Sequence, residues 1–181
     1  MMRRLLTIVL ALMPMLVLAE RPTAEASKSL RTEFSWLAEA GSSIDLSAND
    51  MSSIDITAAF GLRRGVLDFA GIGAGANIMI SNSCRSYPIY AMVRTSFTPT
   101  NDVVFLDVRG GLALNYLYDN VTQTGAYASA SVGFNLARGR KFRSYILAGY
   151  TFVGRSDAAV GEATVPYSSL NIAMVRLGIS F

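Results

Sequence analysis

A chain of 181 residues that is 51% hydrophobic and only 16% charged has the length of one domain but too few charges to wet an ordinary soluble surface. Its formal charge of +3 does not point to nucleic acid: Arg3 and Arg4 sit in a removable leader, and without them 14 basic groups face 13 acidic ones. The chain has no histidine, which excludes Ser/His or Asp/His catalysis and histidine-based metal sites, and its one cysteine excludes an intramolecular disulfide.

In chain order, "MMRRLLTIVLALMPMLVLAE" gives a basic n-region, an uncharged apolar run from Leu5 to Leu18, and small residues Val17 and Ala19 at an exit. That order predicts a secretory signal peptide over residues 1–19, too short to anchor in a membrane. Residues 20–29, "ERPTAEASKS", read as a polar lead-in. From residue 30 onward only Lys141 remains as a lysine, Lys28 lying just before it.

Residues 30–181 resolve into eight segments: 30–47, 52–63, 66–80, 87–97, 102–117, 125–137, 142–154 and 169–181. Most alternate apolar and polar residues with the period of two that marks a strand. In the second, Ile54, Ile56, Ala58, Phe60 and Leu62 oppose Asp55, Thr57, Ala59, Gly61 and Arg63. In the fourth, Ile89, Ala91, Val93 and Phe97 oppose Tyr90, Met92, Arg94 and Ser96. The fifth sets Val104, Leu106, Val108, Leu112 and Leu114 against Asp107, Arg109, Gly111 and Asn115, and the sixth sets alanines, Val132, Phe134 and Leu136 against Tyr127, Ser129, Ser131, Gly133 and Asn135. Segments one, three and seven alternate less cleanly. Tight connections ("RRG", "TPTND", "RGRK") alternate with others such as "SNSCRS" and "GRSDAAVGEATVPYS", as in an up-and-down antiparallel meander. Cys84 falls in "SNSCRS" and reads as a tolerated loop thiol.

Eight such strands can close into a barrel and so remove their edges. A carrier barrel of the lipocalin type turns its apolar face inward, whereas an outer-membrane barrel turns it toward lipid. The non-apolar face here consists of Gly, Ser, Ala, Asn and Tyr with a few charges, as in "GIGAG" and "RGGL", which suits a cramped lumen better than a wet exterior. Segment length also fits the roughly 9–11 residues that a tilted strand needs to cross a bilayer. The fold expected is all-β: a closed eight-stranded antiparallel transmembrane β-barrel.

The final strand, with Val175, Leu177, Ile179 and Phe181 at alternate positions, resembles the C-terminal signature of bacterial outer-membrane β-barrels. Together with "YAMVRTSF", "VGFNL" and "LAGYTF", it makes residues 30–181 similar to small barrel domains of the OmpA/OmpX type. The resemblance implies a monomeric integral protein of a Gram-negative outer membrane, in contact with outer-membrane lipid and with both termini periplasmic. It also implies that the last strand is read by the barrel-assembly machinery.

Arg94, Asp107, Arg109 and Arg176 fall on the polar faces of their strands, as does Glu39. A two-residue turn at Thr100 and Asn101 would oppose Arg94 to Asp107, and closure would bring Glu39 to the height of Arg176. In a narrow lumen such charges must pair, so they predict a plug rather than an ion path. Asp119, Asp157 and Glu162 read as solvated loop acids, and "NVT" at Asn120 as a chance sequon. No catalytic, metal or cofactor site is expected. The function implied is structural or interactive, with a minor channel and a soluble apolar-ligand carrier as alternatives, and a histidine-free hydrolase working through Asp119 as a more distant one.

Overall fold

The computed structural model describes residues 32–47, 51–64, 67–81, 83–97, 103–117, 121–138, 142–155, 158–160, 163–165 and 169–181. The expected signal peptide and lead-in, Lys28, Lys141, Asp119, Asn120, Asp157 and Glu162 lie outside them.

Ten strands form: β1 Glu33–Asp45, β2 Ser53–Arg64, β3 Leu67–Met79, β4 Arg85–Ser96, β5 Val104–Tyr116, β6 Thr122–Arg138, β7 Arg143–Val153, β8 Ala158–Val160, β9 Ala163–Val165 and β10 Leu170–Ser180. β1 through β7 and β10 close into an eight-stranded antiparallel meander, sealed where β10 pairs with β1. β8 and β9 pair only with each other. That hairpin lies in the stretch read as the long loop "GRSDAAVGEATVPYS", where runs of three residues are too short to show a period. β6 also starts at Thr122, earlier than the alternation suggests. At one end of the barrel, the turn end, lie the β2–β3, β4–β5 and β6–β7 connections together with Glu33 and Ser180. The other connections lie at the loop end.

The register fixes the shape. Partners traced from Asp45 run through Ile172, Thr151, Ser129, Arg109, Met92, Gly71 and Gly61 and return to β1 at Ser35, ten residues from the start. With eight strands about 4.8 Å apart, that stagger gives a tilt of about 40° and a backbone radius of about 8 Å. Such a barrel is only wide enough for its own side chains.

The apolar faces point outward. Ile54, Ile56, Phe60, Leu62, Ile72, Ile89, Val93, Val108, Leu112, Val132 and Phe134 are all exposed, and so are Val175, Leu177, Ile179 and Phe181. This is the reverse of a carrier barrel. Phe34, Trp36, Phe60, Phe97, Phe134, Phe142 and Phe181 surround the turn end, while Tyr87, Tyr116 and Tyr150 lie toward the loop end. Tyr87 and Phe97 are ten positions apart, which at this tilt spans about 25 Å along the axis, the height of the lipid-facing band of such barrels.

The seam is fastened at both ends. Phe181 N–H donates to the Trp36 carbonyl at 2.9 Å, and the two rings stack 4.3 Å apart. At the loop end Leu46 N–H donates to the Asn171 carbonyl at 2.7 Å, and Asn171 N–H donates to Ser47 Oγ at 3.0 Å.

Cys84 corrects the sequence reading. Met79 N–H donates to the Cys84 carbonyl, so Cys84 continues the inward alternation of β4 through Ser86. The thiol is buried in an apolar cluster that includes Met51, Met79, Leu117 and Leu170. Polar neighbours in the sequence hide this, because burial here follows from strand pairing.

Ile72, 70% exposed near the middle of β3, tests which way the barrel faces. Ile72→Arg is expected to cost about 2–4 kcal/mol in urea unfolding from lipid vesicles, the cost of a cation at the bilayer midplane. Unchanged stability would mean that this face is not in lipid.

Candidate functional site

The lumen is filled in layers, and its middle layer is charged. β1 contributes Glu39, β2 Asp55, β4 Arg94, β5 Asp107 and Arg109, and β10 Arg176: three carboxylates and three guanidiniums, all buried. Each sits at an inward position because the strand period places every second residue there.

Arg94 and Asp107 are direct register partners on β4 and β5. Arg94 donates to Asp107 Oδ2 from Nε at 3.0 Å and from Nη2 at 2.7 Å. Arg109 donates from Nε to Asp107 Oδ1 at 2.7 Å. Glu39, on the wall facing β5, reaches across the lumen. Arg94 Nη2 donates to it at 2.9 Å, and Arg109 Nη2 lies 2.8 Å from each of its oxygens. Tyr145 on β7 and Thr57 on β2 donate to the same carboxylate at 2.8 and 3.1 Å. Charge-assisted bonds of this length are the strong kind, and they satisfy both carboxylates with protein donors alone.

Arg176 and Glu39 meet as expected, but only as a long ion pair. Their charged atoms are 4.0 Å apart, and the closer partner of Arg176 is Asp55, to whose Oδ2 its Nη2 donates at 3.3 Å. The register explains it, because Arg176 lies beside Gly41 and Glu39 beside Gly178.

Aromatic rings complete the belt. The Arg94 guanidinium lies 4.4 Å from the Phe105 ring centre and 4.2 Å from that of Tyr145, both within cation–π range. Arg109 Nη1 donates to Tyr90 Oη at 3.3 Å, and Tyr90 stacks on Tyr127. Glycines make room for these rings: a Cβ at Gly178 would overlap the Tyr145 ring, and one at Gly133 would overlap Phe105. Sequence reasoning leaves out Asp55, Tyr90 and Tyr145. Asp55 shows its polar face but not its partner. Tyr145 stands in "SYILAGY", where apolar residues of both parities erase the signal.

On both sides of the belt the lumen is filled by apolar side chains together with buried polar ones, Ser35 and Ser96 toward the turn end and Asn77, Ser86 and Asn115 toward the loop end. Leu37, Phe69 and Phe105 lie toward the turn end, and Ile172, Leu170, Val153, Leu117, Met79 and Met51 toward the loop end. At the turn-end mouth Arg143 of β7 meets Asp68 of the opposing β3 at 3.3 Å, and Ser96 also donates to Asp68. A small recess there, lined by Asp68, Arg143, Arg94 and Phe105 among others, encloses room for about one water. Among the described residues no group of three or more His, Cys, Asp or Glu side chains is placed to hold a metal ion.

An eight-stranded meander with an apolar exterior and a packed, charge-bearing interior is the fold of small outer-membrane β-barrels. In particular, the structure is similar to the crystal structure of Neisserial surface protein A, with a TM-score of 0.56 and 15% sequence identity, over 83% of this chain and 97% of that one. No protein-family model and no curated protein sequence matches the chain.

Removing one member of a buried ionic cluster strands the others without water. Asp107→Asn is therefore expected to cost about 3–5 kcal/mol in urea unfolding. Glu33→Gln, which breaks the exposed Arg63–Glu33 pair, is expected to cost less than about 1 kcal/mol. Equal costs would mean that the lumen is wet.

Proposed function

We propose that this protein is an integral component of a Gram-negative outer membrane and acts as a closed, non-enzymatic envelope barrel. On this reading the barrel passes no solute: it anchors a rigid cylinder in the bilayer and presents its loop end for contacts at the cell surface. The observation that carries the proposal is the belt itself. Glu39 and Asp107 take bonds from Arg94, Arg109, Tyr145 and Thr57, and buried side chains fill the lumen on both sides, so an ion in transit would have to displace partners from several strands at once. The name of the structural neighbour, a surface protein, agrees with exposure at the cell surface. The absence of histidine supports a non-catalytic role.

The same reading sets the topology. The turn end, with both barrel termini, faces the periplasm, and the alternating strand ending at Phe181 is what the barrel-assembly machinery recognises after export through the periplasm. The lipid-facing surface meets outer-membrane lipid, and the barrel acts as a monomer.

The test is reconstitution into planar bilayers beside fractionation of cells. The expected result is a protein in the outer-membrane fraction, with gel mobility that shifts on boiling and no discrete conductance steps. Steps that change in amplitude with Asp107→Asn would make it a channel, and recovery as a soluble periplasmic protein would overturn the reading altogether.

A further inference from the structure

The closing strand raises a problem that its apolar pattern does not solve. Val175, Leu177, Ile179 and Phe181 fix which face of β10 meets lipid, but a slip of two residues against β1 preserves that facing. Something else must select the register in which Arg176 lies opposite Gly41.

The seam contains a candidate. Asp55, Gly41 and Arg176 form one continuous row across β2, β1 and β10. A Cβ at position 41 would fall 2.7 Å from Arg176 Cγ, so the glycine leaves a notch over which the arginine side chain runs. Across that notch Arg176 Nη2 reaches Asp55 at 3.3 Å, bridging the intervening strand. Asp55 is held ready for it: Ser43 of β1 donates to Oδ2, and Ser53 Oγ donates to Oδ1 at 2.8 Å. Among the described residues, β10 makes ion pairs only through Arg176. Before β10 docks, the belt holds Glu39, Asp55 and Asp107 against Arg94 and Arg109, one negative charge in excess.

We propose that the Asp55–Gly41–Arg176 row is a register key for barrel closure. In the native register the last cation enters the notch and neutralises the one carboxylate that Arg94 and Arg109 leave unpaired. A one-residue slip turns Arg176 toward lipid. A two-residue slip in one direction sets it against Glu39, which already accepts from Arg94 and Arg109, and leaves Asp55 without a counter-charge. In the other direction the Ser43 side chain stands where the notch would be.

The test reads register directly. In a Cys84→Ser background, Ala40→Cys is combined with Leu177→Cys, its register partner, or with Val175→Cys or Ile179→Cys, which report two-residue slips. After refolding into vesicles and mild oxidation, the native Arg176 chain is expected to crosslink 40 to 177. Arg176→Met is expected to raise the slipped products by about tenfold over background, the signature of a weakly specified register. The charge swap Asp55→Arg with Arg176→Asp is expected to return the crosslink to 40–177. If Arg176→Met gives only the 40–177 product, even with a lower melting temperature on the gel, the pair stabilises without selecting and the proposal is wrong. The proposal also fails if Phe181→Ala causes slippage while Arg176→Met does not, because the Trp36–Phe181 stack is then the key. Should Arg176→Met not fold, the swap decides: recovery of folded 40–177 product supports the key, and failure of the swap overturns it.

Discussion

The interaction on which the rest depends is the bridge that Glu39 makes across the lumen to Arg94 and Arg109. A barrel of this radius is filled by its own side chains and cannot leave its centre empty. Filling the space with hydrocarbon alone would have turned both faces of every strand apolar and removed the alternation that tells the sheet which side is out. Balanced charges solve both problems. They keep the inward positions polar in sequence, and because Glu39 and Asp107 accept from Arg94, Arg109 and Tyr145 they tie β1, β4, β5 and β7 into one cross-section. Shut away from solvent, the belt is also little screened by salt.

From this follows a division of labour along the axis. The belt holds opposite walls together, the aromatic rings seated over Gly178 and Gly133 fill what the ions leave, and the seam adds backbone pairing and the Trp36–Phe181 stack to the reach of Arg176 to Asp55. The outward face does none of this and can be uniformly apolar. Function, on the reading proposed above, lies in the closed cylinder and in what its loop end meets.

Much of the fold was legible because a period of two repeats over eight segments, and each repeat reports the same face. The direction in which that face points was legible from chemistry: glycine, serine and asparagine are poor exteriors but good fillers of a narrow tube. Segments one, three and seven read poorly for a physical reason. Leu37, Phe69, Tyr145 and Leu147 are inward residues, yet they are apolar or aromatic because they fill the lumen around the ions. Within the belt, the positions of Arg94 and Asp107 could be read from one turn length, since they are neighbours in a single hairpin. The Glu39 bridge to β4 and β5 and the reach of Arg176 to Asp55 could not. Both depend on side chains crossing space between strands that do not touch, and no local pattern records that. Buried Cys84 was hidden differently, by the polar residues around it in "SNSCRS".

The most direct test of the central bridge is a double-mutant cycle between Glu39 and Arg109, which lie on opposing strands and meet only across the lumen. Unfolding free energies of Glu39→Gln, Arg109→Met and the double variant would be measured in vesicles, with refolding checked by the heat-shifted band. A coupling energy of at least about 1 kcal/mol, within the range found for residues in one ionic network, is the predicted result. Additive losses with no coupling would contradict the account, because the two walls would then be held together by something other than the ions between them.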